Sequence, residues 1–120
     1  MAEVLTLDES DVQETFFERG WTDGLPIVPP TLDRVTAMLE AGGVAATDVV
    51  GTVAQRGVTV TAELLAINAV MAGCKPEYFP VVLAAARAFL DPAFNAHAAV
   101  TSTGGAALLV IVSGPLAAEI

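Results

Sequence analysis

The sequence predicts an α/β or α+β fold, with apolar central helices packed on a small sheet that further chain or another subunit completes. Three observations predict it. Two pieces, 62–73 and 79–90, are apolar around most of the helical turn, as helices central to a core are. Residues 49–60, VVGTVAQRGVTV, are rich in β-branched side chains about a Gln55-Arg56-Gly57 turn. The last third carries ALLVIV, a further strand signal.

The elements follow in order. A first helix starts near Asp8 or Ser10, both good N-caps, and runs through VQETFFER. Val12, Phe16 and Phe17 share one face, Glu9, Glu14 and Glu18 point outward, and Gly20 ends it. GWTDGLPIVPP follows and must be irregular or extended, because Pro26, Pro29 and Pro30 have no N–H to donate. Thr31 caps a second helix with Val35, Met38 and Leu39 as its stripe and Gly42-Gly43 as its stop. After the β-branched stretch, Thr61 caps a helix through Met71, with Glu63 in its first turn. Its apolar residues, Leu64, Leu65, Ile67, Val70 and Met71, lie nearly all round, so it should be central. Pro76-Glu77 opens another helix to about Leu90, and Asp91-Pro92 closes it. Two strands are expected near 96–102 and 107–112, around Thr103-Gly104-Gly105. PLAAEI then reads as the first turn of a further helix, an ending that predicts a fragment, a processed chain or one subunit of a split protein.

Composition sets the outer limits. The 120 residues suffice for one domain or the N-terminal part of a larger one: an acidic helix over 1–20, a proline-rich docking arm over 21–30 and an α/β core over 31–120. At 54% hydrophobic residues and a mean hydropathy of +0.64 the chain holds surplus apolar surface, which predicts a homo- or hetero-oligomer. No apolar run is long enough for a membrane helix, and MAEVLTLDES lacks the basic start of a signal peptide, so the cytoplasm is expected. The net charge of −9 and the scattered Arg19, Arg34, Arg56, Lys75 and Arg87 argue against nucleic acid. A single cysteine allows no internal disulfide.

Candidate chemistry clusters at breaks between apolar elements. Cys74 lies between two helices in NAVMAGCKPEYFP: amides of the following helix and Lys75 would favour a thiolate nucleophile, and the carbonyl end of the preceding helix would oppose it. The alternative is a small hydrophobe filling the corner. Glu77 suits a general base, and equally a helix first turn; Tyr78 can donate to an oxyanion. His97 can serve Cys74 as proton carrier, or simply be a hydrogen-bonded residue on an alanine-rich strand. A zinc site would need a third ligand from Asp23, Glu77 or another chain, so no metal is assigned, and no motif names a cofactor. Thr101, Ser102, Thr103, Gly104 and Gly105 offer hydroxyls and amides to an anion or a carbonyl oxygen, as an alternative to a plain hairpin turn, and Ser113 adds a second such turn. Trp21, Asp23, Pro26, Pro29 and Pro30 suit docking on a neighbouring subunit or lining a cleft, and Asp23 equally suits capping its own turn.

Three blocks, GWTDGLPIVPPT, AINAVMAGCKPEYFPVVLAA and DPAFNAHAAVTSTGGAALLVIVSGP, together resemble an uncharacterised bacterial family over about residues 15–118. Its members are encoded beside, or fused to, proteins with a UGSC motif, in which selenocysteine or cysteine precedes Gly-Ser-Cys. They continue past the SGP segment into a glycine- and asparagine-rich region, and this chain has neither that region nor the UGSC motif. The resemblance implies thiol or selenol redox chemistry nearby. Three functions are open on these grounds: an enzyme subunit with an interface active site acting on a small molecule, a non-catalytic partner of another chain, or a small-anion or metabolite-binding module.

Overall fold

A computed structural model describes residues 4–120, with Glu9 described by its backbone alone. The fold is α+β. A 3-10 turn, Glu9–Asp11, leads into α1 (Val12–Glu18), and an extended arm connects to α2 (Leu32–Gly42). Strands β1 (Val49–Val53) and β2 (Val58–Thr61) form a two-stranded antiparallel sheet, followed directly by α3 (Ala62–Met71). After a 3-10 turn at Pro76–Tyr78 come α4 (Phe79–Leu90) and the short α5 (Ala96–Val100). No described helix is long and apolar enough to cross a membrane.

One local device ends the first three helices. Gly20, Gly43 and Gly73 sit at φ +67°, +61° and +80°, the left-handed region in which a Cβ is costly. Each passes its N–H back to a carbonyl three residues earlier (Phe17, Glu40 and Val70), and the next residue bonds one carbonyl deeper in the helix. Trp21 N–H donates to Phe16 O, Val44 N–H to Leu39 O and Cys74 N–H to Ala69 O, at 2.9, 3.2 and 3.0 Å. This is the Schellman closure, whose last residue ordinarily makes an apolar contact back onto its helix.

The core joins Val35 and Met38 of α2, Ala66, Ala69 and Val70 of α3, and Phe79 at the start of α4. The buried stripe of α3 is Ala62, Ala66, Ala69 and Val70, whereas Leu64 is exposed. The helix is central to the core as expected, with Leu65 and Ile67 packed against the cluster beside that stripe. Thr61 caps α3 as expected, its Oγ1 accepting from Leu64 N–H at 3.3 Å. Thr61→Ala should therefore cost about 0.5–2 kcal/mol in denaturant unfolding. Thr31 occupies the corresponding position of α2, but its side chain makes no capping bond.

The hairpin pairs Gly51 with Val60, Thr52 with Thr59 and Val53 with Val58, around the expected turn, with an irregularity between Val49 and Gly51. Gly51 lies so close to Leu90 that an added Cβ would stand 2.6 Å from the Leu90 Cβ. The sheet is thereby pinned to the end of α4.

The C-terminal third differs from expectation. Residues 96–100 form helix α5, not a strand, because AHAAV is mostly alanine and Asn95, at φ 52°, turns the chain into it. Residues 107–112 take no regular secondary structure and pair with no strand among the described residues, and Pro115–Ala118 forms a 3-10 turn where a helix was expected.

Candidate functional site

The helix closures place the site. At the end of α1 the Schellman turn lays Trp21 edge-on to Phe16, ring centroids 5.1 Å apart, and brings the Arg19 guanidinium 5.0 Å over the indole. The next turn is held by Asp23, whose Oδ1 accepts from Leu25 N–H at 3.0 Å. Gly24, at φ +90°, passes close to the Phe17 ring. The arm then docks on its own chain. Gln13 Nε2 donates to Ile27 O at 3.0 Å, Val28 N–H to Met71 O at 3.2 Å, and Arg34 Nη1 to Pro29 O at 2.9 Å. Pro29 and Pro30 are half-buried there, and Pro26 is exposed.

Between this loop and the last turn of α3 lies an open cleft of about 690 Å³, with Trp21, Thr22, Asp23, Ile27, Asn68 and Met71 among its walls. Met71 and Ile27 make it apolar on one side. Asn68 spends one amide N–H on Leu64 O at 2.8 Å, which leaves its second N–H to donate and its Oδ1 to accept. Asp23 carries the single charge in the lining. Thr22 Oγ1 is buried there without a hydrogen-bond partner, a condition that folded proteins rarely leave uncompensated. The walls therefore supply both donors and acceptors, one negative charge and no cation.

Most of the residues nominated from sequence lie elsewhere. Cys74 is half-buried against the core cluster, and its N–H closes α3. It occupies the same position in its closure that Trp21 and Val44 hold in theirs. Glu77 is exposed in the 3-10 turn, ahead of a helix that begins only at Phe79, and Tyr78 is half-buried beside it. His97 is exposed on α5, contrary to the expected strand position. No hydrogen bond joins the side chains of Cys74, Glu77, Tyr78 and His97, and none of them lines the cleft. Thr101 Oγ1 and Ser102 Oγ are turned back on the end of α5, donating to His97 O at 2.6 Å and Ala99 O at 3.3 Å. Thr103, Gly104, Gly105 and Ser113 are exposed, so the stretch follows a helix and is no hairpin turn between strands. Among the described residues no group of three or more His, Cys, Asp or Glu side chains is placed to hold a metal ion.

The cleft adds Thr22, Ile27, Asn68 and Met71 to the residues expected from sequence. The signal for Asn68 was available: it is the one polar side chain between Glu63 and Lys75. Comparison with protein-family models, with curated proteins and with solved structures found no match to this chain.

Proposed function

We propose that the chain is one component of a cytoplasmic bacterial enzyme, its cleft holding a small polar substrate where a second polypeptide closes the open side. The observation that carries this reading is the Asp23 carboxylate and the Asn68 amide lining one open cleft, in a loop that also leaves the buried Thr22 hydroxyl without a partner. One carboxylate with no cation in the lining favours a cationic hydrogen-bond donor, above all an amine, over an anion. This reading gives the chain the substrate-holding part. The thiol or selenol chemistry implied by the family resemblance then falls to the partner, because Cys74 faces the core.

Trp21, the sole tryptophan, stands in the cleft wall and reports on it. Titration with small primary amines should change its fluorescence, and matched carboxylic acids should not. Asp23→Asn should weaken the amine response on the order of ten-fold, the scale of one charge-assisted hydrogen bond. Cys74→Ala should leave it unchanged. An equal response to both ligand classes, or none to either, would sink the reading. The non-catalytic partner reading would then be preferred, on the strength of the exposed apolar run at 108–112.

A further inference from the structure

Asn68 is anchored in the cleft wall by its own helix. Its Nδ2 donates to Leu64 O, one turn earlier in α3, at 2.8 Å. Only the nitrogen end of a side-chain amide can donate to a carbonyl, so this bond settles which end of the amide is which. It uses one N–H. The other N–H and Oδ1 have no partner among the described residues, and Asn68 is exposed on the part of α3 that lines the cleft. Asp23 is in a similar state: its Oδ1 accepts from Leu25 N–H, and its Oδ2 has no partner among the described residues.

The two side chains ask for different groups. The Asp23 carboxylate calls for a cationic donor. Asn68 offers one donor and one acceptor on a single amide, and its complement is a group that also carries both. Asparagine reads the edge of adenine through such a pair. A carboxamide supplies the same complement. An alkyl amine supplies donors only. A carboxylate supplies acceptors only, and would bring a second negative charge into a lining that holds Asp23 and no cation. Ile27 and Met71 leave the apolar side of the cleft to an aliphatic side chain.

We infer that the ligand is a cationic amine that also carries a carboxamide, the unit found at the free N-terminus of a peptide and in amino-acid amides. The ammonium meets Asp23, the carboxamide pairs with Asn68, and an aliphatic side chain lies on Ile27 and Met71. Asn68 is then the residue that separates such a ligand from simple amines and from free amino acids. The inference rests on the reading of the cleft as an amine site, and narrows the ligand class.

Trp21 fluorescence of the whole chain, titrated at slightly acidic pH where every amine used is protonated, tests this with three ligands of one carbon skeleton. Isoamylamine is leucinamide without its carboxamide, and leucine carries a carboxylate in that place. Leucinamide should bind on the order of ten-fold more tightly than isoamylamine, the scale of one or two neutral hydrogen bonds, and leucine should bind no more tightly than isoamylamine. Asn68→Ala should lower leucinamide to the level of isoamylamine and leave isoamylamine unchanged. Asn68 is exposed and outside the core, so melting of this variant should match the wild type. The amide of Leu-Gly-Gly separates the two sources. Binding as tight as that of leucinamide assigns the site to a peptide N-terminus, binding of leucinamide alone assigns it to an amino-acid amide, and both uphold the pairing. Equal affinity for leucinamide and isoamylamine, or a preference that survives Asn68→Ala, would overturn the inference. Leucine binding as tightly as leucinamide would also overturn it, and would move the second contact to Arg19, whose guanidinium stands over Trp21. A response to amines without the amide preference removes this inference alone, and no response to any amine removes the amine site as well.

Discussion

Phe79→Ala should destabilise the fold by about 3–5 kcal/mol, the range for truncating a fully buried phenylalanine. Phe79 is 0% exposed and, with Val70, among the largest side chains wholly withdrawn from solvent. Its ring lies against α2, where a Cβ on Gly42 would stand 2.8 Å from Cδ1, and it belongs to the cluster formed with Met38 and Val70. Collapse would relieve the loss, but α2 and α3 are both fixed at this end by their Schellman closures. The cavity should therefore stay largely open, toward the upper part of that range. For a domain whose total stability is of order 5–15 kcal/mol, this is a large fraction. Urea unfolding monitored by circular dichroism measures it, and a loss below about 1 kcal/mol would mean that the core is not centred on this ring.

Gly51→Ala should also destabilise, although the usual expectation has the opposite sign. Replacing a glycine whose conformation alanine can adopt stabilises by about 0.4–1 kcal/mol through the unfolded state. The Gly51 φ is outside the left-handed region, so that gain is available. Against it stands a new methyl 2.6 Å from the Leu90 Cβ and 2.9 Å from its Cδ1. The Cβ is fixed to the helix backbone and cannot rotate away, so β1 must lift from α4, at a cost of about 1–3 kcal/mol. The clash prevails, leaving a net loss of about 1–2 kcal/mol. Gly104→Ala is the control: the nearest atom to its Cβ would be Ser102 Oγ at 3.5 Å, and its effect should stay within about 0.5 kcal/mol. Equal effects at the two glycines would remove the argument.

Much of the helical framework was legible because glycine punctuates it. Gly20, Gly43 and Gly73 each follow an apolar residue by four positions and precede another by one: Phe16 and Trp21, Leu39 and Val44, Ala69 and Cys74. That spacing is the written form of the closure, and it shows Cys74 as a position before it shows it as a thiol. The hairpin was legible for the same kind of reason, with β-branched runs on both sides of a glycine turn.

Where propensity and pattern conflict, the sequence misled. AHAAVTS offered a single period-two hint against three alanines, and with no neighbouring strand among the described residues to pair with, helix propensity prevailed over the first half. The cleft was half legible. Trp21 and Asp23 stand out beside glycine and proline, whereas Asn68 and Met71 reach the same space only through the bond from Val28 N–H to Met71 O. Nothing in the spacing of residues 21–28 and 68–72 announces that contact, since it joins segments forty residues apart.

The alanine stripe of α3 has a consequence for the protein's freedom to vary. Ala62 and Ala66 are wholly enclosed, and Ala69 nearly so, with neighbours already in contact. A residue of any greater volume must push helices apart, and glycine alone is smaller. Leu64 and Asn68, on the same helix, face outward with room for most side chains. Drift in this helix should therefore be confined to one side of it, and the side that can change is the one carrying Asn68 into the cleft. Specificity there can be rewritten while the positions that hold the helix in place stay fixed.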